Sequence, residues 1–144
     1  MDTNITKLWT IEINENEVFA RCVNESLYHA DSGAQPIQDD DKAQFHMYFT
    51  TAIADLNMIL ARRMSVPLRY GSDCGDVVFT LDMHDNHNDN ILATLLIHCY
   101  DYLVKRILES WYHTNFGSEL ERQEINHCIH YRKNPVRRRV SPLI

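Results

Sequence analysis

The chain has 144 residues, the usual length of one domain and enough to bury a hydrophobic core. Its formal net charge of -6 excludes a protein whose whole surface binds nucleic acid, because phosphate binding requires a surplus of Lys and Arg. No apolar run approaches the roughly 20 residues that cross a bilayer, and the acidic N-terminal segment is unlike a secretory signal, so we expect no membrane partner.

The first predicted element is an amphipathic helix over about residues 15–30. Asn14 can cap it through the side-chain oxygen, and the apolar residues that follow have the i, i+3, i+4 spacing of a helix with one buried face. Gly33 and Pro36 then interrupt the pattern and predict a loop.

A second helix is predicted over about residues 39–63. The acidic run Asp39–Asp41 lies at its start, and Arg62 and Arg63 lie at its end, so the charges match the helix dipole at both ends. The apolar residues of this helix form a stripe wide enough to belong to the core: Phe45, Tyr48, Phe49, Ala52, Ile53, Leu56, Ile59 and Leu60.

A short β segment is predicted over about residues 66–82. The run Val77–Leu81 is rich in β-branched and aromatic residues, and Pro67–Tyr70 can supply a short partner strand. Because an isolated hairpin is marginal in water, this one must lie on the helices or pair with another chain.

Two further helices are predicted over about residues 89–113 and 118–132. The first carries apolar residues on most faces and is therefore expected to be the central helix. Gly117 is a stop signal, and Ser118 with Glu121 three residues later predicts a capping box at the start of the last helix. The expected fold class is mostly α: a single four-helix domain over residues 1–133, with the β segment between its second and third helices.

The C-terminal segment 134–144 contains two prolines and is expected to be an extended basic tail. It can contact an acidic partner or nucleic acid, or reach a neighbouring subunit and add a strand there. The alternative is a disordered, solvated end. The candidate partner-binding residues combine clustered positive charge with apolar anchors: Arg132, Lys133, Arg137, Arg138, Arg139, Val140, Leu143 and Ile144.

Two clusters contain residue types that bind metals. The loop Asp82–Asp89 holds His84, Asp85 and His87, but it lacks the Gly and distal Glu of an EF-hand and the helical HExxH arrangement. We favour a polar loop whose acids cap the next helix, and a metal site there is the alternative. The run His127–His130 places two imidazoles on one helix face beside Cys128, which is expected to pack inward.

No motif for covalent catalysis or nucleotide binding is present. The chain has no GxSxG turn, no P-loop and no dinucleotide glycine pattern, and its four cysteines lie far apart without a CxxC pair. We therefore predict no catalytic residues and no cofactor. The spacing of the cysteines also indicates free thiols in a reducing compartment.

The order of elements over roughly residues 38–113 resembles the head-tail connector proteins (head completion, or adaptor, proteins) of long-tailed phages. The pattern comprises the acidic helix start Asp39–Asp41, an apolar helix, a small β element and a second apolar helix that ends in Glu109, Ser110, Trp111 and Tyr112. The longer N-terminal section 1–38 and the helix after Gly117 depart from that pattern.

The resemblance implies a non-enzymatic virion protein, made in the host cytoplasm. Copies would form a ring, contact the portal or other connector and tail proteins through their termini, and let DNA pass through the channel without specific binding. Two alternatives remain. One is a cytoplasmic helical adaptor that binds a partner protein as a dimer through the exposed part of the third helix. The other is a metal-dependent enzyme that uses His84, Asp85, His87 and Asp89.

Overall fold

Four helices and a small antiparallel sheet form the part of the chain that the computed structural model describes, residues 6–29, 33–70, 76–84 and 89–130. This confirms the predicted, mostly α fold class with a β insertion between the second and third helices. The elements are β1 (Thr6–Asn14), α1 (Glu15–His29), α2 (Lys42–Leu60), β2 (Arg69–Tyr70), β3 (Asp76–His84), α3 (Asp89–Tyr112) and α4 (Ser118–His130). Short 3-10 turns, Asp39–Asp41 and Ala61–Arg63, flank α2.

The sheet has the strand order β1-β3-β2, and both pairings are antiparallel. The predicted hairpin is present as β2 and β3, but β2 is only two residues long. The main partner of β3 is the N-terminal strand β1, which pairs with it along its whole length, with Ile11 opposite Phe79. The hairpin is therefore stabilised by a strand of the same chain that the sequence pattern did not predict.

One face of β1 and β3 is buried, and the other face is exposed along β1 but partly covered along β3, where Val78 is buried and Thr80 and Asp82 are half-buried. In β1, Trp9, Ile11 and Ile13 are buried, whereas Leu8, Thr10 and Glu12 are exposed. This alternation follows from the strand, in which successive side chains point to opposite faces. The odd-numbered face of the sheet thereby becomes part of the hydrophobic core.

Asn14 joins the sheet to α1. Its Oδ1 accepts a hydrogen bond from the Glu17 amide at 2.9 Å, which is the predicted helix cap. Its Nδ2 donates to Asp76 Oδ1 at 2.6 Å, and its backbone amide donates to the Tyr100 hydroxyl at 3.0 Å. The side chain and backbone amide of Asn14 therefore hold the end of β1, the start of α1 and the Tyr100 side of α3 together.

The helix α3 is central, as its apolar composition predicts. It packs against α1, α2, α4 and β1, and its Leu95, Cys99, Leu103 and Ile107 are completely buried. The helix α2 packs on it through the predicted stripe, of which six residues are buried: Phe45, Phe49, Ala52, Ile53, Leu56 and Leu60.

The turn between α3 and α4 is closed by a carboxylate of α3. After Tyr112 the chain takes a left-handed turn at His113, where φ is 56°, and α4 begins at Ser118. The capping box expected between Ser118 and Glu121 does not form. Instead, the Glu109 carboxylate accepts hydrogen bonds from the Ser118 amide at 3.0 Å and hydroxyl at 2.6 Å, while Glu121 turns towards α3.

Candidate functional site

The candidate partner-binding tail lies outside the described residues, which end at His130. This applies to Arg132 and Lys133 as well as to the segment 134–144, so the tail stays a prediction.

The loop proposed for metal binding is described only at its two ends. Asp82 belongs to β3, and its Oδ1 is buried without a hydrogen-bond partner in the described part of the chain. Asp89 is exposed and is the first residue of α3, and its Oδ1 lies 3.7 Å from the Lys7 ammonium. Residues 85–88 and the side chain of His84 lie outside the described structure. The ends alone do not assemble a set of metal ligands.

His127, Cys128 and His130, the three candidate ligands of the last helix, lie in different environments. Cys128 is buried, as expected, whereas His127 and His130 are exposed. His130 Nε2 lies 3.3 Å from a guanidinium nitrogen of Arg62, at the end of α2. His130 therefore connects α4 to the turn that follows α2.

A different set of ligand types meets between α3 and α4. His98, Asp101 and Glu121 offer ligand atoms that lie within 4.8 Å of one another. The spacing i, i+3 places the first two on one face of α3, and Glu121 faces them from α4. Among the described residues, this is the only group of three or more such side chains at metal-binding separation.

The contacts within this set favour an ion-pair network over a metal centre. Lys105 Nζ donates to Glu121 Oε2 at 2.6 Å, and His98 Nδ1 lies 2.7 Å from Oε1 of the same carboxylate. Burial raises the pKa of the Glu121 carboxyl, but the hydrogen bonds and charges of Lys105 and His98 together outweigh burial and hold it below its ordinary value. An ammonium already neutralises the carboxylate that a divalent ion would need.

The described thiols are unsuited to nucleophilic chemistry. Cys22, Cys99 and Cys128 are all buried and free. Burial, with a smaller effect from the Glu25 charge, raises the pKa of Cys22 to about 12, and burial also raises the pKa of Cys99 and Cys128. Thiols with a raised pKa carry almost no thiolate at neutral pH, which is the reactive form.

The outward side of α2 has a composition unusual for a solvent-exposed face. We define the α2 stripe as five exposed residues at helical spacing: Ala43, Met47, Thr51, Ala54 and Met58. None is charged, and the two methionine side chains are 68% and 76% exposed. The Thr51 hydroxyl donates to the Met47 carbonyl at 3.2 Å, so that its polar group is satisfied within the helix. The stripe therefore offers solvent a largely apolar surface.

A groove of about 630 Å³ lies between α2 and α4, beside the C-terminal end of this stripe at Met58. We call it the α2/α4 groove, and it is lined by Asp55, Met58, Ile59, Arg62, Tyr102, Arg122, Asn126 and His130. Arg62 and Arg122 approach it from different helices. The groove thus combines an apolar wall with positive charge, and it is open enough to admit side chains of another molecule.

A second, smaller apolar surface lies on α3. Leu96 and Ile97 are exposed there, and the adaptor alternative binds its partner through the exposed part of this helix. We call this pair the α3 patch.

The sequence contained a signal for the α2 stripe but not for the groove. Between Lys42 and Asp55 the chain has no Asp, Glu, Lys or Arg, although only one face of a surface helix needs to be apolar. The groove depends on α4 lying beside the end of α2, which no local pattern indicates.

Comparison of the chain with protein-family models, with curated proteins and with solved structures finds no match. Of the described helices, none is both long enough and apolar enough to cross a membrane. The candidate sites therefore rest on the geometry alone.

Proposed function

We propose that the chain is a non-enzymatic structural subunit that assembles with copies of itself into a ring, in the manner of phage head-tail connector proteins. The C-terminal tail contacts the portal or an adjacent ring. The N-terminal segment 6–14 is not free for this role, because it forms β1 of the subunit's own sheet.

The α2 stripe is the observation that carries the proposal. The 19-residue α2 is apolar towards the core and also carries this largely apolar, uncharged stripe on its exposed side, beside polar residues such as Gln44 and Thr50. A second apolar stripe is typical of a helix that packs against a second partner. Burying a methionine side chain contributes about 1.5–3 kcal/mol, so Met47 and Met58 together can supply a substantial part of a subunit contact. Helix-on-helix packing between neighbours is the kind of contact that the connector resemblance implies.

The charge of the chain agrees with a ring that surrounds DNA. A net charge of -6 allows DNA to slide through an acidic channel without binding, while the clustered arginines of the tail lie outside the described core. Under this proposal the protein acts in the virion, and its partners are its own copies, the portal and other connector or tail proteins.

The α3 patch favours one other candidate, a helical adaptor that binds a different protein as a dimer. Leu96 and Ile97 are exposed on the helix that this alternative uses. The two candidates predict different surfaces: ring formation requires Met47 and Met58, whereas the adaptor requires Leu96 and Ile97.

Light scattering over a wide concentration range tests the proposal. We expect the wild-type chain to form a closed oligomer at high concentration, and the double variant Met47→Lys/Met58→Lys to stay monomeric, because two ammonium groups cannot be buried unpaired in a helix contact. Asn16→Lys with Asn24→Lys, at exposed positions on α1, is the matched control for added charge.

Three results would contradict the proposal. A wild-type chain that remains a monomer at every concentration does not form a ring. An oligomer that survives Met47→Lys/Met58→Lys but is lost in Ile97→Lys uses the α3 patch instead. Stoichiometric metal, measured on the same sample and lost on His84→Ala, would support the metal-dependent enzyme.

A further inference from the structure

The α2/α4 groove contains a cation without a carboxylate partner. The Arg62 guanidinium has one hydrogen-bond partner in the described part of the chain, the neutral ring nitrogen Nε2 of His130 at 3.3 Å. A guanidinium only donates hydrogen bonds, so this contact leaves its charge uncompensated. Burial, then the charges of Arg62 and Arg63, lower the pKa of His130, which agrees with a local excess of positive charge.

The nearby acids are already engaged elsewhere. Asp55 Oδ2 accepts from Arg106 Nε at 3.2 Å, which joins α2 to α3. Glu119 forms a two-point ion pair with Arg122 on the same turn of α4. Arg62 is consequently available to a carboxylate supplied by another molecule.

The complementary charge lies on the same chain, at the opposite end of α2. Asp39 and Asp40 are exposed and form no ion pair or hydrogen bond within the described residues, whereas Asp41 accepts from the Gln38 amide at 2.9 Å. The 19-residue helix between this acidic turn and Arg62 is roughly 30 Å long at about 1.5 Å per residue. A subunit therefore cannot bring its own acidic turn to its own groove.

We propose that the acidic turn of one copy docks in the α2/α4 groove of the next, with the Asp39 and Asp40 carboxylates on Arg62. This inference rests on the proposed function, since it names the contact that orders neighbours in the ring. The two surfaces are different, so each copy uses its acidic turn on one side and its groove on the other. Such a head-to-tail contact continues from copy to copy, and it produces a ring where the rotation closes. The exposed Met58 on the groove wall places the α2 stripe beside the same contact.

Two complementary variants test the contact by light scattering at low salt. Arg62→Glu reverses the charge of the groove and leaves the acidic turn unchanged. Asp39→Lys/Asp40→Lys reverses the charge of the acidic turn and leaves the groove unchanged. Each variant alone is expected to lose assembly, with the association constant reduced at least roughly tenfold by like charges at the contact. Mixed in equal amounts, they retain one intact turn and one intact groove. The other contact in the mixture joins the introduced glutamate to the introduced lysines, and this pair of opposite charges is attractive as well. We therefore expect the mixture to recover oligomers that neither variant forms alone.

Controls separate a lost contact from a lost fold. Arg69→Glu reverses the charge of an exposed arginine on β2, away from the groove, and is expected to assemble like the wild type. Circular dichroism verifies that each variant is folded, and Arg62→Gln, which only removes the charge, replaces Arg62→Glu if that variant does not fold.

The possible results separate a failure of the groove contact from a failure of the ring proposal. If the wild type assembles and Arg62→Glu assembles equally well, the groove contact is wrong and the ring proposal stands. If assembly needs Arg62 but tolerates Asp39→Lys/Asp40→Lys, the groove binds another anion, such as free phosphate, and this also overturns the inference. A mixture that stays monomeric has the same meaning. A wild type that never assembles overturns both proposals.

Discussion

Glu109 shows how a single carboxylate decides the geometry of a helix junction. It lies near the end of α3 and accepts three hydrogen bonds, from the amides of Phe116 and Ser118 and from the Ser118 hydroxyl. The sequence suggested Glu121 for this role, because its spacing from Ser118 matches a capping box. That spacing cannot reveal that Lys105 and His98 compete for Glu121, since both belong to another helix.

Glu109→Gln is expected to destabilise the fold by about 1–3 kcal/mol at pH 7, because an amide cannot accept all three hydrogen bonds and loses the charge that strengthens them. Burial raises the pKa of the Glu109 carboxyl, but the hydrogen bonds from Ser118 and Phe116, with the nearby Gly117 amide, outweigh it, and the net pKa lies below its ordinary value of 4.5. The folded state therefore favours the ionised form, and its contribution is complete above about pH 4.5 and disappears as the pH falls through the lowered pKa.

Urea denaturation of both proteins at several pH values measures this difference. Glu124→Gln, an exposed carboxylate on α4, is the control and is expected to change stability by less than about 0.5 kcal/mol. An equal cost of Glu109→Gln at pH 7 and at pH 3 would show that the ionised carboxylate is not the stabilising group.

Among the elements, the helices could be predicted from the sequence and β1 could not. All four helices begin within a few residues of the expected positions because their apolar spacing extends over several turns and their ends carry Asn, Asp or Gly signals. The alternation of Trp9, Ile11 and Ile13 with polar residues is a strand signal, but it covers few residues and runs directly into the cap of α1. Its partner β3 is far away in the chain, and local patterns do not identify distant partners.

The candidate sites also divide into those that a local sequence pattern indicates and those that depend on contacts between distant residues. The absence of charge between Lys42 and Asp55 is visible in the sequence, so the α2 stripe could have been proposed before the structure was known. The α2/α4 groove required two helices to be placed side by side. The α3/α4 network likewise joins Glu121 to residues that only the helix hairpin brings near it.

Ile11→Ala tests whether β1 is part of the core. Ile11 is completely buried opposite Phe79, so truncation is expected to cost about 2–5 kcal/mol from lost burial and the cavity that remains. Thr10→Ala on the exposed face of the same strand is the matched control, with an expected cost of less than about 1 kcal/mol. Equal effects in a thermal or urea unfolding experiment would mean that β1 is attached only by its backbone.

At the scale of the whole molecule, the described core ends with α4 at His130, before the basic tail. Deletion of Asn134–Ile144 is expected to leave the helical circular dichroism signal and the unfolding midpoint unchanged, because every described element precedes the deletion. The same deletion is expected to weaken assembly with the portal-like partner or between rings, since it removes Arg137–Arg139 and the apolar anchors.

A variant with Arg137–Arg139 changed to Gln separates the charges of the tail from its apolar residues. Loss of helical signal in the deleted chain would show that the tail belongs to the core, and unchanged assembly would remove its role as a contact arm.

The pairing of β1 with β3 has a consequence for synthesis on the ribosome. The strand Thr6–Asn14 emerges before its partner Asp76–His84, which is translated only after α1 and α2. Until β3 is made, the apolar segment of β1 has no strand to pair with. The two strands must then meet across a long intervening segment of chain, which slows folding. Where many chains are made together, the open edge of β3 in one chain can receive β1 from another. Strand exchange is therefore the misassembly to which this topology is most exposed, and a crowded site of synthesis would favour it.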